Sequence, residues 1–142
     1  MKKYKIGYTT GVFDMFHIGH LNILKKSKEM CDYLIVGVST DELVQQYKNK
    51  KPVISFEDRK TIVEAIRYVD QVVPQESMDK LEAWEKYHFD VVFHGDDWKG
   101  SAMYDCVEKS LNDVGCAMVF LPHTAGVSST ELSKTLYNHL HE

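Results

Sequence analysis

The stretch Gly11-Val12-Phe13-Asp14-Met15-Phe16-His17-Ile18-Gly19-His20 stands between an apolar run at 6–10 and an amphipathic segment at 18–30. A strand that turns directly into a helix start is the repeating unit of α/β proteins, and that turn is where they hold phosphates. His17 and His20 are three residues apart at the helix start, so both imidazoles lie on one face beside amides without an intrahelical acceptor. The helix dipole adds positive potential there. Gly11 and Gly19 permit a tight turn and a close approach of a ligand to the backbone. Imidazoles, free amides and glycines together form an anion cradle.

Other uses of the same residues are poorly supported. A closed zinc site asks for four ligands, and no paired cysteines or third histidine stand at useful spacing, so no protein-held metal is expected. Neither G-x-G-x-x-G nor G-x-x-x-x-G-K-[ST] occurs, which sets the turn apart from a dinucleotide fingerprint and from a P-loop.

At 142 residues the chain is expected to form one domain, 1–142, with a hydrophobic core that needs no staples. A formal net charge of -4 argues against a general binder of nucleic acid or of anionic membranes, so positive charge for an anionic substrate must be concentrated locally. Cys31, Cys106 and Cys116 are odd in number and form no C-x-x-C, as in reduced, cytoplasmic proteins. No segment reads as a signal peptide or a bilayer span.

Strand-like runs occur at 5–9, 33–38, 71–73, 91–94 and 117–121. Helical patterns fill the gaps at 18–30, at 56–68 after a capping Ser55, at 78–87 and at 102–114, the last stopped by Gly115. A closing helix opens at Ser128-Ser129-Thr130-Glu131, a capping box, and carries Leu132, Leu136 and Leu140. Strand alternating with helix predicts an α/β fold: a single Rossmann-like domain whose five-stranded parallel sheet carries helices on both faces.

Such sheets bind ligands at the carboxyl ends of their strands, which brings four segments to one edge: 10–20, 39–52, 95–99 and 122–129. The second reads as a loop bearing Lys48, Lys50 and Lys51, with Lys48 the residue expected to meet phosphate, and Arg59 follows soon after. Gly95-Asp96-Asp97-Trp98 supplies carboxylates and a flat ring, which suit a base, a ribose or a polyol. His123-Thr124-Ala125-Gly126-Val127-Ser128-Ser129-Thr130 is a second glycine-containing loop into a helix start, and a second anion cradle.

Together these residues resemble the small cytidylyltransferases of the HxGH nucleotidyltransferase superfamily. The likeness covers nearly the whole chain: the G-x-F-D-x-x-H-x-G-H turn, Ser39-Thr40-Asp41-Glu42, Glu57-x-Arg59, Ile66-Arg67-Tyr68-Val69-Asp70, Gly95-Asp96-Asp97-Trp98 and the closing Thr-x-Gly-Val-Ser-Ser-Thr. It implies that His17 and His20, with Lys48, hold the triphosphate of CTP and stabilise the transition state. Thr10, Gly11, Val12 and Phe13 would line the nucleotide, joined by Gly95 and Asp97 and by His123, Thr124, Gly126, Ser128, Ser129 and Thr130 of the second cradle. The acceptor, a phosphorylated small polyol with sn-glycerol 3-phosphate foremost, is expected beside Asp14, Arg59, Arg67 and Trp98.

The resemblance further implies Mg2+ bound through the CTP phosphates, a homodimer formed through residues 67–70, and a CDP-polyol destined for teichoic acid or capsule. It leaves open other acceptors (ribitol 5-phosphate, glycerol 2-phosphate, phosphocholine, phosphoethanolamine), an adenylyl donor, and a non-catalytic nucleotide-binding module. At one position the chain departs from the family, which carries arginine where His123 stands. Arginine is always charged, whereas a histidine is charged only below about pH 6.5 unless perturbed.

Overall fold

The computed structural model describes residues 3–95, 102–122 and 129–140, with the backbone alone for 129–133 and 139. The elements run β1 (Tyr4–Gly11), α1 (Ile18–Met30), β2 (Cys31–Ser39), α2 (Asp41–Lys48), α3 (Phe56–Glu64), β3 (Gln71–Gln75), α4 (Lys80–Tyr87), β4 (Val91–Gly95), α5 (Ala102–Asp113), β5 (Ala117–Leu121) and α6 (Ser129–Leu140). The five strands pair in the order β3-β2-β1-β4-β5, every neighbour parallel. From β1 the chain fills one side of the sheet and then the other. The strand order therefore reverses between β1 and β4, and the crevice at the carboxyl ends of that pair is where such a sheet takes a ligand.

Two apolar layers sandwich the sheet. Leu34, Val36 and Val38 of β2 pack with Val91 and Phe93 of β4 against Leu24 of α1 and Val63 of α3. Tyr8, Ile35, Val92 and Met118 face the other way, toward Tyr104 and Leu111 of α5 and the partly buried Leu81 and Trp84 of α4. The central strands are covered on both faces, which is why their sequences run as continuous apolar blocks instead of alternating.

The five expected strands and the alternation of strand with helix are present, with three differences in the helices. The segment after β2, read as a loop, contains α2. Thr40 caps it by accepting from the Leu43 amide at 3.2 Å, and Asn49 ends it in the left-handed region at φ 54°. Only Leu43 and Val44 of α2 are buried, so the apolar period is too short to stand out beside the lysines. The third helix stops at Glu64 instead of 68, and Ser55 holds the cap position without a side-chain bond. Asp41 of α2 takes that role, its Oδ2 accepting from the Phe56 amide at 3.3 Å. The fourth helix starts at Lys80 because Asp79 caps it, accepting from the Leu81 and Glu82 amides. Gly115, at φ 86°, follows α5 where the sequence places its stop. Among the described residues no helix is long and apolar enough to cross a membrane.

Candidate active site

The turn between β1 and α1 is built on two non-glycine residues in the left-handed region, Phe13 at φ 55° and Met15 at φ 48°. Such residues persist only where their surroundings fix them. Phe13 is fixed by burial, its ring lying against Gly11, where an added Cβ would meet it at 3.1 Å. Gly11 leaves room for that close approach. The carboxylate of Asp14 accepts from the amides of Val53 at 2.8 Å and Ile54 at 2.9 Å, so it ties the segment after α2 to the turn.

His17 is the N-cap of α1. Its Nδ1 accepts from the Gly19 amide at 3.1 Å, and the Nδ1 of His20 accepts in return from the His17 amide at 3.2 Å. An imidazole nitrogen thus does what a Ser or Glu oxygen does in a capping box. The rings stack with centroids 3.8 Å apart. Because both Nδ1 atoms accept, each neutral ring carries its proton on Nε2, so each presents an N–H donor on the far side from the helix. The Nε2 atom of His17 is buried and has no hydrogen-bond partner among the described residues. A buried donor of that kind calls for a bound acceptor.

Both rings are held neutral. Burial pushes the pKa of His17 down, and burial together with the neighbouring His17 lowers that of His20 to about 4 against an opposing pull from Asp14. The unfolded chain, with histidines near 6.5, then binds more protons than the folded one between about pH 4 and 6.5. Stability is full above that window and falls as the pH drops through it. Urea unfolding of the ligand-free chain from pH 7 to 4 should show this loss, and His20→Gln should remove a large part of it; an unchanged slope in that variant would contradict the assignment.

The remaining expected residues divide into three groups. Lys48 is the last residue of α2: its ammonium lies 5.7 Å from the Tyr47 ring centroid, and its pKa is lowered by burial and by Lys50 against an opposing pull from Asp14. Thr10, Gly11, Val12 and Phe13 lie on the carboxyl end of β1 and its turn, and Gly95 ends β4 in register with Leu121 of β5. Asp97, Trp98, His123, Thr124, Gly126 and Ser128 lie outside the described residues, and Ser129 and Thr130 open α6.

Three residues expected at the acceptor have other partners or positions in the structure. Arg59 is fully buried and faces no ligand: its Nε donates to Ile54 O, one terminal nitrogen to Val12 O and Ser39 O at 2.7 and 2.8 Å, and the other to Asp41 Oδ1 at 2.6 Å. It ties the β1 turn, the end of β2, α2 and the segment before α3 into one unit. Asp14 spends both oxygens on backbone amides, as described, and is an anchor of the turn. Arg67 is exposed between α3 and β3, stacked on Tyr68; β3 begins in register with the middle of β2, so Arg67 lies toward the opposite edge of the sheet.

One buried cation at the carboxyl end of β1 escaped the sequence reading. Lys80 is buried, and its Nζ donates to Thr10 Oγ1 at 2.6 Å at the carboxyl end of β1. Burial lowers its pKa to about 8, and no carboxylate pairs with it among the described residues. Its signal was present: Lys80 shares the face of Ala83, Trp84 and Tyr87 at helical spacing, a charge inside an apolar stripe.

The family model described as cytidylyltransferase-like matches residues 8–134. The chain belongs to the cytidylyltransferase-like family. It is 40% identical over 129 residues to the glycerol-3-phosphate cytidylyltransferase of Bacillus spizizenii, covering 90% of this chain and 94% of that protein. Against the glycerol-3-phosphate cytidylyltransferase of Staphylococcus aureus the identity is 39% over 130 residues, covering 91% and 92%. The ethanolamine-phosphate cytidylyltransferase of Mus musculus is 39% identical over 127 residues, but the match spans only 30% of that protein. A lipopolysaccharide core biosynthesis protein of Thermoplasma volcanium shares the fold with a TM-score of 0.71 at 24% identity, over 85% of this chain and 97% of that one. This cytidylyltransferase-like chain is a nucleotidyltransferase, with the Rossmann-like architecture expected from its strand–helix alternation.

Proposed function

We propose that the chain transfers a cytidylyl group from CTP to sn-glycerol 3-phosphate, giving CDP-glycerol and pyrophosphate. The observation that carries this reading is the reciprocal capping of His17 and His20, which aims two Nε2–H donors at the site and leaves the one on His17 without a protein partner. The names of the bacterial relatives supply the acceptor.

An oxygen of the acceptor's phosphate attacks the α-phosphorus of CTP. A new P–O bond forms as the bond to the bridging oxygen breaks, and that oxygen leaves with its electron pair on pyrophosphate. A phosphate monoester has a second pKa of about 6, so at neutral pH it is already a dianionic nucleophile and no general base is needed. The protein's task is to hold two mutually repelling polyanions in line and to meet the charge that grows on the bridging and leaving oxygens.

The Nε2–H groups of His17 and His20, the start of α1 and Lys48 do this on the triphosphate side. Neutral imidazoles suit the role, because a neutral ring can accept at Nδ1 in the cap and still donate from Nε2. Lys80, with its remaining donors beside Thr10, suits the phosphate of the acceptor. Magnesium, which takes few protein ligands, would be held through the CTP phosphates, where it would neutralise charge on the triphosphate. The 67–70 segment would form the subunit contact of a homodimer, and the product would serve teichoic acid or capsule synthesis.

The test is chemical: the full chain with CTP, magnesium and glycerol 3-phosphate should yield a diphosphate diester, CDP-glycerol, seen by phosphorus NMR, and ATP in place of CTP should yield little. Absence of that product with CTP would overturn the reading.

Lys80→Met should raise the KM for the acceptor about tenfold or more while leaving the KM for CTP nearly unchanged. The variant should also be more stable at pH 7. The folded lysine titrates near 8 and the unfolded one near 10.5, so the unfolded chain binds the extra proton in that window and wild-type stability rises with pH through it. A less stable Lys80→Met with normal acceptor KM would assign the lysine to the fold alone.

A further inference from the structure

Tyr8, in the middle of β1, carries a hydroxyl that the transfer chemistry leaves unused. The residue is 2% exposed and lies on the sheet face covered by α4 and α5. Its ring stacks on Phe89, with centroids 4.5 Å apart, and on Tyr87 at 6.0 Å. The hydroxyl reaches across to β2: a Cβ at Gly37 would meet it at 2.6 Å, so it lies directly over that glycine. Gly37 is in register with Val73 of β3, which aims the phenol at the last residues of that strand. The hydroxyl makes no hydrogen bond to any described residue. A polar group so nearly enclosed calls for a partner.

A pocket of about 30 Å³ opens there, between the end of β3 and α4, with Tyr8 in its lining. A space of that size takes a group as large as a water molecule or an ammonium. The charge around it is negative. Glu76, Asp79 and Glu82 bring three carboxylates against the single ammonium of Lys86, which lies 3.9 Å from Glu82. All four side chains are exposed, so they form a rim in contact with solvent above the enclosed phenol. Asp79 spends one oxygen on the amides of Leu81 and Glu82 at the start of α4. Lys80 turns away to Thr10 and takes no part in the lining. Among the described residues no three carboxylates or imidazoles gather closely enough to hold a metal ion, which leaves a compact organic cation as the better fit.

We propose that this pocket binds the primary ammonium of an aliphatic diamine or polyamine. An ammonium has three donors and no acceptor, and it finds the Tyr8 oxygen at the base of the pocket and carboxylate oxygens at the rim. Burial, with Tyr87 beside it, pushes the Tyr8 pKa up, so the phenol stays neutral and the charge that attracts the ligand comes from the carboxylates. The alkyl chain leaves past Pro74 and Ala83 toward solvent, where a second ammonium meets the rim. Each exposed ion pair contributes little by itself, so two linked ammonium groups hold better than one. A water molecule would satisfy the hydroxyl but makes no use of the negative rim, and an anion is repelled by it. The site does not depend on the cytidylyl-transfer reading.

The test is a titration of the full chain with putrescine, butylamine and butanol, which share one carbon chain, followed by amide proton–nitrogen NMR shifts. Putrescine should give saturable shifts confined to the end of β3 and to α4, butylamine the same shifts at weaker affinity, and butanol none. Tyr8→Phe, which removes one oxygen and keeps the stacked ring, should weaken both amines about tenfold. Replacing Glu76 and Glu82 together by Gln should bring putrescine down to the affinity of butylamine. Unchanged putrescine affinity in Tyr8→Phe would overturn the proposal. So would shifts that spread over surface carboxylates without saturating, the mark of charge screening alone, or tighter saturation of the same amides by magnesium. Shifts as strong with butanol as with butylamine would mark an apolar crevice and overturn it too. If Tyr8→Phe does not fold, the glutamine variant decides, and an undiminished preference for putrescine in that variant would likewise sink the proposal.

Discussion

His17→Ala should turn over at least about a hundredfold more slowly than wild type, the effect of removing one preorganised donor from a developing phosphate charge. That substitution also removes the cap of α1, which by itself destabilises by about 1 kcal/mol. His17→Asn separates the two roles. Asparagine is among the best cap residues and can accept from the Gly19 amide as Nδ1 does, but it places no donor where His17 Nε2 lies. The expected pattern is a lowered melting temperature for the alanine variant alone, with kcat lost in both. If the asparagine variant kept wild-type kcat, His17 would be a cap and not a catalytic residue.

Arg59→Ala should be destabilised by at least about 3 kcal/mol, because three carbonyls lose their donors around a fully buried side chain and the more exposed Asp41 loses its ion-pair partner. The guanidinium bonds three separate stretches of chain, at Val12, at Ser39 with Asp41 and at Ile54, from one plane, so Arg59→Lys, with a single ammonium, should recover only a small part. Val12 and Ser39, released together, would let the β1 turn and the end of β2 shift apart. Acceptor and nucleotide KM should therefore both rise in the folded fraction of Arg59→Lys. Urea midpoints for the two variants measure the stability effect, and a wild-type midpoint for Arg59→Ala would refute the structural role. A rise in acceptor KM alone, at normal stability, would return Arg59 to the acceptor.

Residue chemistry explains what could be read from the sequence. The β1–α1 turn was legible because the hydrophobic period changes from strand to helix across it, and because two histidines at i, i+3 share a face whatever else surrounds them. Their mutual capping was not, since an imidazole at an N-cap has no signature apart from position. Asp14 and Arg59 carry the charges that ligands want, and the same charges satisfy backbone amides and carbonyls. Only burial and partner atoms tell the two uses apart, and here both residues serve the backbone. Arg67 could not be placed for a different reason: its motif is a segment of the chain, and a segment has no position on the sheet until the register of β3 against β2 is known. Lys80 shows the converse, a lysine in an apolar stripe that looked like one more exposed charge.

The most direct measurement is pyrophosphate release by the wild-type chain with CTP and magnesium against glycerol 3-phosphate, glycerol 2-phosphate, ribitol 5-phosphate, phosphocholine and phosphoethanolamine. Rapid release with glycerol 3-phosphate, far above each of the others, is the expected result. Silence with the whole panel, while CTP still binds, would contradict cytidylyl transfer to a phosphorylated acceptor.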